Sequence, residues 1–146
     1  LDGLHIFLYY YTFKLPFLTS LSMKILVVDD EQDIRTLFEQ RFRREIRNGE
    51  LDFSFAYSGE EALTYINGHF SEIVLILSDI NMPGMSGIEL LRRIRTMHPT
   101  APPMIMMITA YNDEENYNQA KKYGADDFLN KPIDFVNLKQ KLTESL

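Results

Sequence analysis

The chain has 146 residues, 45% of them hydrophobic, and no cysteine, which suits one packed domain and excludes a disulfide framework, a thiolate nucleophile and a cysteine-type zinc cluster. A net charge of −6 and the lack of any unbroken basic run argue against direct nucleic-acid binding, which depends on neutralising phosphates. The nearest basic cluster, Arg41, Arg43, Arg44 and Arg47, reads as the solvated face of a helix, and the missing cysteines fit a cytoplasmic location.

Residues 1–22 differ from all that follows: they are rich in aromatics, poor in charge, and open with Leu, whereas Met23 looks like a natural start. Lys14 and Pro16 interrupt the apolar stretch, so neither half approaches the ~20 residues of a membrane helix. No membrane span is expected. The segment reads either as a non-native extension or as a packing arm around Ile6 to Phe13 that lies on the domain or on a second copy.

From Met23 onward, short apolar runs alternate with stretches of helical periodicity, the pattern of an α/β fold. The first run is Lys24 to Val28; Ile34, Leu37, Phe38 and Phe42 then repeat at helical spacing. Leu51 to Ala56 is the second run, followed by a helix that opens on Ser58 and Glu61 at capping-box spacing. Ile73 to Ser78 is the third, and Ser86 with Glu89 marks the next helix, carrying Ile88, Leu91 and Ile94. Met104 to Ile108 is the fourth; after it Asn112 and the acids Asp113, Glu114 and Glu115 suit a positive helix start. The short Asp127 to Leu129 is the fifth, before a last helix from about Asp134 to Ser145. Continuous apolar character in Ile25 to Val28 and Ile73 to Leu77 predicts strands covered on both faces. Five strands and five helices then make a three-layer sandwich.

Acids stand at the ends of two of these runs: Asp29 and Asp30 close the first, Asp79 the third. Ligands of a parallel sheet gather outside the carboxyl ends of its strands, so neighbouring runs bring these carboxylates into one crevice. At roughly 5 Å and an effective dielectric of about 20, each like-charge pair costs on the order of 3 kcal/mol, which a hard divalent cation offsets.

With Thr109 before Ala110 at the end of the fourth run and Lys131 before Pro132 after the fifth, the pattern from Met23 to Leu146 resembles the receiver domain of two-component response regulators. The resemblance implies a doubly wound, five-stranded parallel sheet of flavodoxin-like order 2-1-3-4-5, with helices on both faces. It implies that Asp79 is a nucleophile forming an acyl phosphate, and that Asp30, Asp79 and the backbone carbonyl of Asn81 hold Mg²⁺, with Asp29 acting through water. It gives Lys131 and Thr109 to the phosphoryl oxygens and a cis bond to Lys131-Pro132. Receivers also carry an aromatic residue three positions before the lysine, here Phe128, which turns inward when the Thr109 hydroxyl is drawn to the phosphoryl group. As a Phe it lacks the outward hydrogen bond of a Tyr, so its coupling rests on packing. Pro83 and Gly84 suit the turn leaving Asp79, and Gly87 stands where a side chain would obstruct the site.

Singly, each residue has a plainer role: Asp30 is equally placed to cap the helix bearing Ile34, Thr109 to be a loop hydroxyl, Lys131 a surface charge. Together they place acids at two strand ends, a hydroxyl at a third and a lysine at a fourth, which chance does not explain well.

The function implied is phosphorylation-dependent signalling: acceptance of a phosphoryl group from a sensor histidine kinase or phosphotransfer protein, in the regulatory domain of a longer response regulator or in a stand-alone receiver. The chemistry is self-phosphorylation rather than conventional turnover. The helix after Asn112, the fifth strand and the last helix form the face many receivers use to dimerise or to dock a downstream output domain or protein, and Tyr111 and Asn81 flank the phosphate pocket. A competing class is a Mg²⁺-dependent aspartyl phosphohydrolase on a related α/β fold. Its haloacid-dehalogenase version needs an acid two residues after the nucleophile, where Asp79 has Asn81 and Asp30 has Gln32.

Overall fold

The structure is a computed structural model that describes residues 22–100, 102–110 and 112–143. The aromatic segment before Ser22, Tyr111 and the last three residues therefore lie outside the described residues. Strands β1 (Met23–Val28), β2 (Leu51–Ala56), β3 (Leu75–Asp79), β4 (Met104–Thr109) and β5 (Asp127–Asn130) form one parallel sheet in the order β2-β1-β3-β4-β5. This is the doubly wound topology expected from the sequence. The helices are α1 (Ile34–Arg41), α2 (Arg43–Arg47), α3 (Gly59–His69), α4 (Gly87–Met97), α5 (Glu114–Lys122) and α6 (Phe135–Thr143), with a 3₁₀ turn at Phe70–Glu72.

Because side chains alternate across a strand, the continuous apolar runs feed two cores. Ile25 and Val27 of β1, with Leu75, Leu77, Met104, Met106 and Ile108, meet Ile34 and Phe38 of α1 and Leu138 and Leu142 of α6. Leu26, Val28, Ile76, Ile105 and Met107 face the other way, against Ala62 and Ile66 of α3, Leu90, Leu91 and Ile94 of α4, and Ala120 of α5. β4 is buried at every position, as a central strand between two layers of helix must be.

There are three local differences from the sequence reading. The periodic stretch from Ile34 is two helices rather than one long helix, with Phe42 between them at φ −111° and ψ 24°. Phe42 is fully buried, its ring centroid 5.2 Å from that of Phe53 and 6.0 Å from that of Phe38, so the helix bends where the aromatic cluster claims this side chain. Ile73 and Val74 precede the β3 ladder, although Val74 already donates to the Lys24 carbonyl. The cap of α5 is Asp113, which accepts the N–H of Asn116 at 3.2 Å, whereas Asn112 stands outside the helix in the left-handed region at φ 67°. The Ser58 and Ser86 caps form as expected, accepting the N–H groups of Glu61 and Glu89.

Candidate functional site

β1 and β3 are neighbours, and each runs into an acid at its carboxyl end. The chain leaves β1 toward the core containing α1 and leaves β3 toward the core containing α4, so a crevice opens between the two departures. Asp29, Asp30 and Asp79 each bring a carboxylate oxygen there, all within 4.8 Å of one another. Asp29 is 3% and Asp79 1% exposed, whereas Asp30 is partly open to solvent.

Backbone groups aim the two buried acids. Asp29 Oδ1 accepts the N–H of Glu31 at 2.9 Å, and Asp79 Oδ1 accepts the N–H of Asn81 at 3.2 Å. The remaining Asp79 oxygen, Oδ2, accepts from Lys131 Nζ at 2.8 Å. Lys131 reaches it from the end of β5, where its N–H is held by the Thr109 carbonyl at 2.9 Å and its bond to Pro132 is cis. Asp30 does not cap α1: the residue before that helix is Asp33, which makes no side-chain cap bond. Its carboxylate is thus left to the crevice.

Burial and neighbouring charges act together on Asp29 and Lys131. Burial, reinforced by the neighbouring Asp79 carboxylate, pushes Asp29 up to about 6, against the opposing pull of the Glu31 N–H and the Lys131 charge. Burial works against the Lys131 ammonium, but its hydrogen bond to Asp79 and the charges of Asp79 and Asp29 outweigh that, holding it above the ordinary lysine value. Three hard oxygen donors gathered without enough positive charge fit a hard divalent cation such as Mg²⁺, which commonly keeps several waters and takes few carboxylates. Asn81, at the start of the loop after β3, stands beside them.

Thr109 is buried at the end of β4, with Oγ1 only 3.4 Å from the Ala110 carbonyl oxygen, a contact long enough to exchange for a better acceptor. Phe128 sits opposite Met107 in the β4–β5 ladder and is half-buried. Its ring lies 4.3 Å from that of Tyr117 on α5. Tyr117 was not singled out from sequence, where its signal was no more than an aromatic residue in an otherwise polar helix. Glu60 was missed as well: from the start of α3 its Oε1 accepts the N–H of Met85 at 3.1 Å, tethering the loop that follows Asp79.

The family model for the response regulator receiver domain matches residues 25–143. Among curated proteins, the transcriptional regulatory protein ZraR of Escherichia coli (strain K12) is 35% identical over 129 residues, covering 88% of this chain and 27% of that protein. The chain thus spans about a quarter of the length of ZraR. Among solved structures, a response regulator receiver domain protein from Clostridium thermocellum superposes with a TM-score of 0.72 at 28% identity, covering 84% of this chain and 93% of that one. The receiver domain of the Saccharomyces cerevisiae response regulator Ssk1, solved with the histidine phosphotransfer signaling protein Ypd1, matches with a TM-score of 0.73 at 25% identity, covering 85% and 88%. A family match across nearly all of the described residues, on a sheet of the same strand order, makes this chain a member of the response regulator receiver domain family of two-component signalling.

Proposed function

We propose that the chain accepts a phosphoryl group on Asp79 from a histidine kinase or phosphotransfer protein in a Mg²⁺-dependent reaction, and so acts as the regulatory unit of a longer response regulator or as a stand-alone receiver. The observation that carries this reading is the contact of Lys131 Nζ with Asp79 Oδ2 inside a crevice of three acids. A nucleophilic carboxylate, a compact cation and a hydroxyl converge there from β3, β5 and β4.

In the reaction, an oxygen of Asp79 attacks phosphorus as the P–N bond of a phosphohistidine breaks; the bonding pair returns to the imidazole, which takes up a proton from solvent. Such transfers depend mainly on positioning and charge neutralisation. Lys131 exchanges Asp79 Oδ2 for a phosphoryl oxygen, and the Thr109 hydroxyl gives up Ala110 for another. Asp30, Asp79 and the Asn81 carbonyl are the direct ligands of Mg²⁺ in this reading, with Asp29 acting through water; the ion, when bound, neutralises charge gathering on the phosphoryl oxygens. Ssk1, solved with a histidine phosphotransfer protein, supports a donor of that kind. A cytoplasmic location follows from such a donor. The phosphohydrolase alternative is not favoured: the position two after Asp79 holds Asn81, which supplies no carboxylate.

The test is incubation of the folded chain with Mg²⁺ and acetyl phosphate, read by intact mass, and with beryllofluoride, read by NMR. One phosphoryl group mapped to Asp79 is the expected result. A folded protein that neither reagent modifies or binds refutes the proposal.

A further inference from the structure

The loop from Asn81 to Ser86 joins the end of β3 to α4, and its two ends are drawn together at Ile80. That residue donates to the Ile108 carbonyl at 3.2 Å and accepts the Gly87 N–H at 2.8 Å. Within the loop, Met82 is buried against α3 and α4. An apolar contact of this kind sets depth but has no direction. Beyond the Asn81 N–H on Asp79, one hydrogen bond among the described residues ties 81–85 to the rest of the domain: the Met85 N–H donates to Glu60 Oε1 at 3.1 Å.

Local sequence places Glu60 for this contact. Ser58 caps α3 on the Glu61 N–H, leaving the Glu60 side chain exposed in the first turn, where a helix N-terminus favours a carboxylate. Gly59, the first residue of α3, has no Cβ, and one built there would lie 2.9 Å from Met85 Cβ, Cγ and Sδ. The space lets Met85 lie against the helix start, beside Glu60. Gly84 comes as close, since a Cβ there would lie 3.1 Å from the same Glu60 oxygen.

We propose that Glu60 is a positioning residue for the metal site. By fixing the direction of the loop at Met85, it holds Asn81 with its carbonyl available to Mg²⁺ and its N–H on Asp79 Oδ1. The inference rests on the phosphoreceiver reading and deepens it. Buried Met82 and the locked φ of Pro83 leave few free torsions between Asn81 and Met85, so a shift at Met85 is passed on to Asn81. Glu60 acts here as a hydrogen-bond acceptor, not as a charge.

The experiment compares wild type, Glu60→Ala and Glu60→Gln in two readouts. One is Mg²⁺ titrated without any phosphodonor and followed by the Asn81 amide shift in NMR; the other is the Mg²⁺ concentration giving half-maximal acetyl phosphate labelling. Glu60→Ala is expected to weaken Mg²⁺ binding about tenfold, the lower end for a group that orients a ligand from outside the coordination sphere, and to raise the half-maximal concentration in proportion. Glu60→Gln keeps an oxygen acceptor and is expected to restore both. Urea unfolding confirms that each variant is folded; a tether of structural value alone lowers the unfolding midpoint without moving Mg²⁺ affinity. Wild-type Mg²⁺ affinity in folded Glu60→Ala overturns the inference, and so does Glu60→Gln as weak as Glu60→Ala, which assigns the effect to charge. Wild type that neither binds Mg²⁺ nor is labelled refutes the phosphoreceiver reading itself, and the inference with it.

Discussion

A Cβ built on Gly87 would lie 2.0 Å from the carbonyl oxygen of Asp79 and 2.8 Å from Ile80 Cα. The first residue of α4 is thus pressed against the backbone of the proposed nucleophile, and the Gly87 N–H fastens the contact by donating to the Ile80 carbonyl at 2.8 Å. The obstructing atoms are main chain, so no rotamer change relieves the clash. Gly87→Ala is expected to cost about 3 kcal/mol in urea unfolding, at the upper end for overpacking, and to slow acetyl phosphate labelling by displacing Asp79. Wild-type stability with wild-type labelling shows that the helix simply moves aside.

Asp79, Asp30 and Asp29 share one crevice but differ in surroundings, and their variants are expected to differ accordingly. Asp79→Asn removes the nucleophile and abolishes labelling at any Mg²⁺ concentration. Asp30→Asn and Asp29→Asn keep the nucleophile and raise the Mg²⁺ concentration needed for half-maximal labelling, more strongly for Asp30, the proposed direct ligand. Titrating labelling rate against Mg²⁺ separates these outcomes, and an equal shift for all three with residual labelling of Asp79→Asn contradicts the assignment.

Much of this site was legible in the sequence because each of its residues abuts the end of an apolar run, so finding the strands also located the acids, Thr109 and Lys131. The caps at Ser58 and Ser86 were readable for a similar reason: both partners lie within one turn. Features that depend on distant partners were not. The bend at Phe42 exists because Phe53 and Phe135 come to it from β2 and α6. Glu60 finds the N–H of Met85 across 25 residues, and Tyr117 meets Phe128 only once α5 packs beside β5. Hydrophobic period fixes which face a residue occupies, not which neighbour it touches there.

Asp29 makes the metal-free protein sensitive to pH. Its folded value of about 6 lies above the ordinary 3.8, so the folded state holds the proton more tightly than the unfolded state does. Stability from this group is therefore full below about pH 4, declines as pH rises through 6, and is level above that. Holding the proton at about 6 rather than 3.8 corresponds to roughly 3 kcal/mol. Chemical denaturation from pH 4 to 8 in a chelator is expected to show this decline, and Asp29→Asn to remove it. Mg²⁺ is expected to raise the melting temperature more at pH 7 than at pH 5, where Asp29 binds a proton instead. A decline unchanged in Asp29→Asn assigns it to another group.

Arg95 of α4 ties three segments together at the opposite end of the sheet. Its Nη2 donates to Asp126 Oδ2 at 2.6 Å, Nη1 to the Pro103 carbonyl at 3.0 Å and Nε to the Gly124 carbonyl at 3.1 Å. The same Asp126 oxygen accepts the N–H of Ile105 at 2.8 Å, so losing the guanidinium leaves a largely buried carboxylate with one donor. Arg95→Ala is expected to destabilise by about 3 kcal/mol, and Arg95→Lys to recover little of it because an ammonium does not span three acceptors in this fork. Urea midpoints measure both, with labelling of Asp79 preserved below the transition. A loss under about 1 kcal/mol, the range of an exposed pair, shows that solvent replaces these bonds.

Phe128 has no hydroxyl to hold it outward, and its ring instead packs on Tyr117 at a centroid separation of 4.3 Å and an interplanar angle of 39°. Such a pair contributes about 1 kcal/mol beyond buried area. Tyr117 is itself 38% exposed, with Lys121 Nζ 5.8 Å from its ring centroid, so the contact lies at the surface of α5, where an inward turn of Phe128 would break it. If the inward turn accompanies phosphorylation, Tyr117→Ala removes a cost of switching and raises the inward population of the unmodified protein about fivefold. Ring-labelled Phe128 followed by NMR, with and without beryllofluoride, reads that population directly. Phe128→Ala is expected to leave Asp79 labelling intact and to weaken phosphorylation-dependent binding of an output partner. Identical Phe128 spectra with and without beryllofluoride, in wild type and in Tyr117→Ala alike, show a fixed aromatic that plays no part in switching.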